Sequence, residues 1–176
     1  MSGKIERVLS LRPLKHDDEG AARAANVELA VEDFMFLLDD WDSEESWDAY
    51  LRRVEKVRMG IDLAPGRVPA TFLAATVDGE LVGRVSIRHE LNDYLLAFGG
   101  HIGYGVRPAF RRRGYAAEIL RQALIVARAV GVERVLITCD EDNFGSAKVI
   151  ERAGGVLEDV RLDESDGVQK RRYWID

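Results

Sequence analysis

The stretch Val106-Arg107-Pro108-Ala109-Phe110-Arg111-Arg112-Arg113-Gly114-Tyr115-Ala116 constrains this chain more than any other. It sets four arginines within seven residues between a strand-like run and a helix-like one. Upstream, HIGYGV at 101–106 reads as a short strand that stops at Arg107-Pro108. Downstream, Ala116, Ile119/Leu120, Ala123/Leu124, Ala127 and Val130 recur at helical spacing, and Gly131 is a natural residue to follow the helix. A helix start offers backbone N–H groups without intrahelical partners and the positive end of the dipole, which together suit a phosphate. Gly114 lets an anion approach the backbone, Ala116 keeps the first turn narrow, and arginine adds bidentate contacts. The expected anion-binding residues are therefore Arg111, Arg112, Arg113, Gly114, Tyr115 and Ala116. No G-x-x-x-x-G-K-[ST] run exists, and Pro108 stands where the third glycine of a dinucleotide fingerprint starting at Gly103-Tyr104-Gly105 would fall.

The rest of the chain supplies a frame for that loop. Residues 7–14 predict a first strand, 17–38 a helix, and 43–59 a second helix capped by Ser43 or Ser46. TFLAATV and ELVGRVSI flank Asp78-Gly79, a type I′ hairpin signal. A polar connection at 88–99 turns aromatic. VLITC at 135–139 reads as a buried strand, Asn143 caps a helix running to Ala153, and VLEDVRL and VQKRRYWI flank a turn at 163–167. The order β-α-α-β-β-β-α-β-α-β-β mixes a meander with strand–helix crossovers. It predicts an α/β fold with a mixed central sheet of about seven strands and four helices. At 176 residues, with no Ser/Gly/Pro-rich linker, 1–176 is expected to be one domain.

Composition removes several classes of function. A net charge of −6 disfavours general nucleic-acid binding. The single cysteine, Cys139, excludes an internal disulfide framework, and His16, His89 and His101 lack metal-ligand spacing, so no metal is expected. No apolar run reaches the length of a membrane span and the start is charged at once, so a cytoplasmic location away from membranes is expected. Charge is uneven: from Lys15 to Asp48 twelve acidic residues face two basic ones. That segment reads as solvated acidic helices or as a rim that concentrates a cationic ligand.

Arg111-x-x-Gly114-x-Ala116, placed after HIGYGV, resembles the Q/R-x-x-G-x-G/A signature of the GNAT superfamily of N-acetyltransferases. Asn143-Phe144-Gly145-Ser146 is similar to the family's N-x-x-A/S element, and the order of elements matches from about Arg7 to Asp176. The GGHIGYGVRP and ITCDEDN stretches most resemble a bacterial-type branch of predicted acetyltransferases. The resemblance implies acetyl-CoA as cosubstrate, its pyrophosphate on the arginine–glycine loop and its pantetheine arm beside Tyr104 and Val106. Asn143 would orient the arm or fix a water. It implies direct attack by an acceptor amine on the thioester, with Val106, or the Gly105–Val106 peptide, supplying the oxyanion donor where the fourth strand bulges from the fifth. The family's usual tyrosine acid falls at Ile150, which has no proton to give. Tyr104, Ser146 and solvent are the substitutes, and His89, Glu90, His101 and Glu141 are the candidate bases.

Tyr104, Asn143 and His89 thus head the catalytic candidates. Cys139 reads as a small buried hydrophobe. The resemblance places the acceptor pocket among the first two helices, the region after the third strand and the last hairpin. The acceptor would be an amine-bearing small molecule or peptide. Trp41, an aromatic among acids, would either face a cationic ligand or plug a helix junction. Analogy adds a homodimer through the final hairpin, and the missing tyrosine leaves a non-catalytic acyl-CoA-binding or sensing module as the alternative function.

Overall fold

A computed structural model describes residues 8–38 and 41–176. The first residue of the expected opening strand, Arg7, and the acidic pair Asp39 and Asp40 lie outside the described residues. The elements run β1 (Leu9–Arg12), α1 (Glu19–Ala30), α2 (Trp47–Met59), β2 (Ala70–Val77), β3 (Glu80–Arg88), β4 (Ile102–Val106), α3 (Tyr115–Ala129), β5 (Val135–Asp140), α4 (Phe144–Arg152), β6 (Val156–Asp163) and β7 (Val168–Ile175). This is the expected order, with seven strands and four α-helices among the described residues. The strands divide into two antiparallel sheets, β1-β2-β3-β4 and β5-β7-β6. Among the described residues no ladder joins β4 to β5, so the expected central sheet is split where the α3 crossover returns the chain beside β4.

Turn chemistry explains several boundaries. Asp78 and Gly79 both take positive φ, 52° and 83°, as a type I′ turn requires. Ser46, not Ser43, caps α2, its side chain accepting from the Ala49 amide at 3.3 Å. The largest departure is the first helix, expected over 17–38 but ending at Ala30. Its buried stripe runs through Ala22, Ala25, Asn26 and Leu29, and the next position on that face falls on Glu32 and Asp33, which cannot enter the core. The chain turns instead through Asp33, at φ 56°, and the Phe34 amide bonds back to the Leu29 carbonyl at 3.2 Å. Phe36 and Leu37 are then buried as an irregular segment, with the Leu37 amide donating to the buried Asn26 side chain at 2.9 Å.

The first sheet separates two cores. Val85, Ile87, Ile102 and Val106 pack with Ile119, Leu120, Ala123 and Ile150 on the α3/α4 side. Phe72 and Ala74 pack with Leu29, Phe36, Trp47 and Tyr50 on the α1/α2 side. The two sheets touch at the start of the split. The His101 amide donates to the Leu136 carbonyl at 2.7 Å, and the His101 ring accepts from the Leu136 amide through Nδ1 at 2.9 Å. One imidazole nitrogen thus takes the place of a backbone carbonyl. Gly100, at φ 64°, is fixed by the same contact, because a Cβ there would stand 2.7 Å from the Leu136 oxygen. The preceding segment carries a π-helical turn, Leu95–Gly99, that periodicity did not reveal. Its open carbonyls are satisfied from other elements: Thr138 Oγ1 donates to Phe98 O at 2.7 Å and Arg172 to Leu96 O at 2.8 Å. No helix among the described residues is long and apolar enough to cross a membrane.

Burial and the neighbouring Arg88 push the His101 imidazole down to about 4, from an ordinary 6.5. The folded state therefore binds this proton more weakly than the unfolded chain does. The corresponding stability is complete above pH 6.5 and is lost as pH falls toward 4, by about 3 kcal/mol over the window. Urea unfolding should show this decline between pH 7 and 5, above the range where carboxylates protonate. His101→Gln should be less stable at pH 7 and lose less on acidification, His89 supplying the residual slope. An equally steep decline in His101→Gln would exclude the assignment.

Candidate functional site

The gap between β4 and β5 organises the site. β4 pairs with β3 in unbroken register from Ile87↔Ile102 to Gly83↔Val106. Next in that register the Arg107 amide donates to Val82 O at 2.9 Å, so by antiparallel alternation the amides of Tyr104 and Val106 point away from β3, into the gap. Side chains alternate as well. Tyr104 lies on the α3/α4 side, where its hydroxyl donates to Ser146 Oγ at 3.4 Å. Ser146 stands in the first turn of α4, its amide donating to the Asn143 side chain at 3.0 Å. Tyr104, Ser146 and Asn143 are thereby brought together. Burial pushes the Tyr104 phenol up to about 12, so it keeps its proton throughout the ordinary pH range. Cys139, half-buried at the end of β5, is pushed up to about 11 by burial, which leaves a protonated thiol rather than a nucleophile.

The arginine–glycine loop forms the other half. Gly114, at φ 82°, is the N-cap of α3 and brings no side chain to it, so the first amides of the helix, from Tyr115 to Ala117, are uncapped. Arg112 and Arg113 are exposed, and Arg113 stacks on Phe110 at 5.6 Å. Arg111 is engaged on both sides within the chain. Its Nε donates to Val106 O at 3.0 Å, and its terminal nitrogens form a bidentate pair with Glu32 at 2.6 and 2.9 Å. Arg107 pairs in the same way with Glu28, one turn earlier on α1.

These pairs bear on the acidic segment. Glu28 and Glu32 clasp the loop, Asp18 binds Arg12 at 2.6 Å, and Glu45 binds Arg53 at 2.7 Å. These four of the segment's twelve acids are thus paired with the chain's own arginines, while Asp17, Asp33, Asp42 and Glu44 lie exposed. Trp41 likewise has a cation over its ring, the guanidinium of Arg23 at 5.1 Å.

Other candidates fall elsewhere. His89 lies just beyond β3, where its Nε2 is 2.8 Å from Thr71 Oγ1. It is four residues along the chain from Val85, the partner of Tyr104, or roughly 13 Å along an extended strand. His101 is spent on the Leu136 contact, and Glu90 and Glu141 are exposed. Ile150, at the sequence position of the missing tyrosine, is fully buried. Gly105 makes no bulge. Its role is packing, because a Cβ there would sit 2.5 Å from the ring of Phe34. The Arg84 guanidinium lies 4.4 Å from that ring and donates to Met35 O and Gly103 O. Sequence reasoning missed Phe34, Arg84, Glu28 and Glu32 as parts of this wall. The spacing of Glu28 and Glu32 marks one helix face, but their partners lie 79 residues away. Beside the start of α4, Glu141, Phe144, Gln169 and Arg171 line an open depression of about 500 Å³. Among the described residues no group of three or more His, Cys, Asp or Glu could hold a metal.

A family model described as an acetyltransferase (GNAT) domain matches residues 8–156. The chain belongs to the GNAT acetyltransferase family. Solved structures agree on the fold. The microcin C7 self-immunity acetyltransferase MccE, solved with acetyl-CoA and AMP, superposes with a TM-score of 0.68 at 16% identity, over 97% of this chain and 92% of that one. A Salmonella typhimurium acetyltransferase that modifies the N-terminal serine of ribosomal protein L7/L12 gives 0.67 at 21% identity, over 96% and 95%. YncA of Salmonella typhimurium, with acetyl-CoA, gives 0.65 at 15%, over 96% and 93%. No curated protein sequence matches significantly. Within this GNAT chain the packing of Phe34 on Gly105 is directly testable. Gly105→Ala should cost about 1–3 kcal/mol through overpacking, measured by urea unfolding. The same change in a Phe34→Ala background should cost much less, and equal costs would show that the ring is not what Gly105 accommodates.

Proposed function

We propose that this GNAT protein transfers the acetyl group of acetyl-CoA to a primary amine by direct attack. The observation that carries the reading is the β4–β5 gap, with inward-facing amides on one wall and the Tyr104–Ser146 pair beside it. The residues fit acetyl-CoA. The uncapped first turn of α3, with Gly114 bringing no side chain, suits a pyrophosphate, and Arg112 and Arg113 are exposed to reach it. The gap receives the pantetheine arm alongside Tyr104 and Val106.

In this scheme the nitrogen of the neutral amine bonds to the thioester carbon, the carbon–sulfur bond breaks, and the proton shed by the nitrogen passes to solvent. The Val106 amide, fixed in the β3–β4 ladder, donates to the oxygen on which negative charge develops. Tyr104 stands ready beside the gap where Ile150 offers no donor. Its phenol keeps its proton up to about pH 12 and donates a hydrogen bond to the departing thiolate, and because that thiolate is a weaker base than the phenolate its proton comes from solvent. Ser146 and Asn143 hold that hydroxyl in place. His89, bonded to Thr71, takes no part.

Thiol release from acetyl-CoA, measured across a panel of amines, peptides and polyamines beside calorimetric binding, tests the reading. Acceptor-dependent release is expected. Tight binding with no turnover across the panel would select an acyl-CoA-binding module instead. Tyr104→Phe should lower kcat by about 10²-fold with acetyl-CoA affinity unchanged. Gly114→Glu should abolish measurable acetyl-CoA binding, while the backbone strain of a side chain at φ 82° costs only about 1–2 kcal/mol of stability. Undiminished affinity in that variant would remove the loop assignment.

A further inference from the structure

Three glycines lie inside strands among the described residues: Gly83, Gly103 and Gly105. Glycine weakens a strand interior, so each needs a reason. Two have it in the packing. A Cβ at Gly83 would strike the Gly105 oxygen, and one at Gly105 would stand 2.5 Å from the Phe34 ring. Gly103 is different. Its φ is not positive, and a Cβ there would meet only Arg88 Nη1 at 3.8 Å and Arg84 Nη1 at 4.0 Å, ordinary contact distances. The fold would accept a side chain at 103. A strand glycine that neither packing nor backbone demands marks the close approach of a ligand.

The surroundings of Gly103 point the same way. It pairs with Ser86 of β3, and Ser86 pairs with Phe72 of β2. Paired residues project to one face, here the α1/α2 face, opposite to Tyr104. Ser86 is 8% exposed, and its hydroxyl has no hydrogen-bond partner among the described residues. A buried hydroxyl left unbonded is costly, and this one stands beside the space that a side chain at 103 would fill. Arg84 and Arg88 flank Ser86 on the same face. The Arg84 guanidinium lies over the rings of Phe34 and Phe72, at 4.4 and 5.6 Å, and donates to Gly103 O at 3.2 Å. Arg88 Nη1 donates to Gly99 O and Gly100 O, both at 3.1 Å. Both guanidinium groups are therefore fixed in place around the space.

We propose that the space over Gly103 seats the carboxylate of the acceptor, so that the acceptor is an amino acid. The inference rests on the acetyl-transfer reading. A hydroxyl and two guanidinium groups form the donor set that recognises an oxyanion. Strands lie about 4.8 Å apart, so a group over Gly103 is within about 5 Å of the adjoining β4–β5 gap. The nitrogen and carboxylate oxygens of an α- or β-amino acid are about 3–5 Å apart, which brings the nitrogen to the gap while the carboxylate stays at Ser86. A polyamine would set its second ammonium against Arg84 and Arg88, like charge against like.

Thiol release with the proteinogenic amino acids and β-alanine, compared with the matched amines lacking the carboxylate, tests this. Calorimetric titration of the same amino acids into the protein saturated with CoA runs beside it. At least one amino acid should be turned over, with kcat/KM about 10²-fold or more above that of its decarboxylated counterpart. Gly103→Val should raise the KM for that amino acid about tenfold or more, with acetyl-CoA affinity and melting temperature unchanged. Ser86→Ala should raise it about three- to tenfold without loss of thermal stability, since the hydroxyl it removes is unbonded. Equal turnover of the decarboxylated amines, or preference for peptides or polyamines over every amino acid, would overturn the carboxylate seat and leave acetyl transfer standing. Silence from every acceptor would remove the transfer reading. In that event amino-acid binding that Gly103→Val abolishes would support the seat, and absence of binding would overturn it as well.

Discussion

The two hydrogen bonds between His101 and Leu136 are where β4 and β5 meet, and the site opens from there. The His101 carbonyl is taken by the Arg88 amide at 2.7 Å, so the backbone at 101 has no carbonyl left for the Leu136 amide. The imidazole accepts that bond instead, at a place where the chain has just left a π-helical turn and a glycine with positive φ. The strands start in contact and then separate, which leaves the amides of Tyr104 and Val106 facing a space rather than a neighbour. A buried ring that must be neutral to accept is a costly way to join two sheets. It is consistent with a junction whose purpose is to end a ladder rather than extend it.

Charge in this molecule is arranged across long sequence distances. Glu28 on α1 and Glu32 just past its end hold Arg107 and Arg111 at the two ends of the arginine–glycine loop, so the segment on one side of β4 fixes the loop that leads into the helix on the other. The pairs are partly exposed, with about half of the Glu32 side chain open to solvent, so each contributes modestly to stability. Their effect is geometric. Arg111 also holds the Val106 carbonyl, and this links the acidic helix, the loop and the wall of the gap through one guanidinium.

Much of this was legible in the sequence because the responsible physics is local. Asp78-Gly79, Gly114 and Gly131 adopt the positive φ angles that their turn and cap positions demand, and Asn143 caps α4 as its spacing suggested. Periodicity failed where charge interrupted it: the first helix ends because Glu32 and Asp33 fall on its buried face, a conflict visible only once that face is known. The split sheet was beyond local reading, since the side chain of His101 substituting for a backbone group is a tertiary event. In sequence Gly105 is compatible with a bulge and equally with close packing, and only the position of Phe34 separates the two. The same holds for the acidic segment, whose partners are supplied by folding.

The position of β7 at the centre of its sheet has a bearing on how the chain is made. β5 and β6 never touch as strands, and each pairs only with β7, which follows both in sequence. During synthesis the first sheet and α3 can therefore assemble as they emerge, while β5 and β6 wait, each with an apolar face and an unpaired edge. That interval is when the chain is most exposed to association with its neighbours on the same message. The second sheet can close only when the strand from Val168 to Ile175 arrives, since it is the one strand with which β5 and β6 each pair among the described residues.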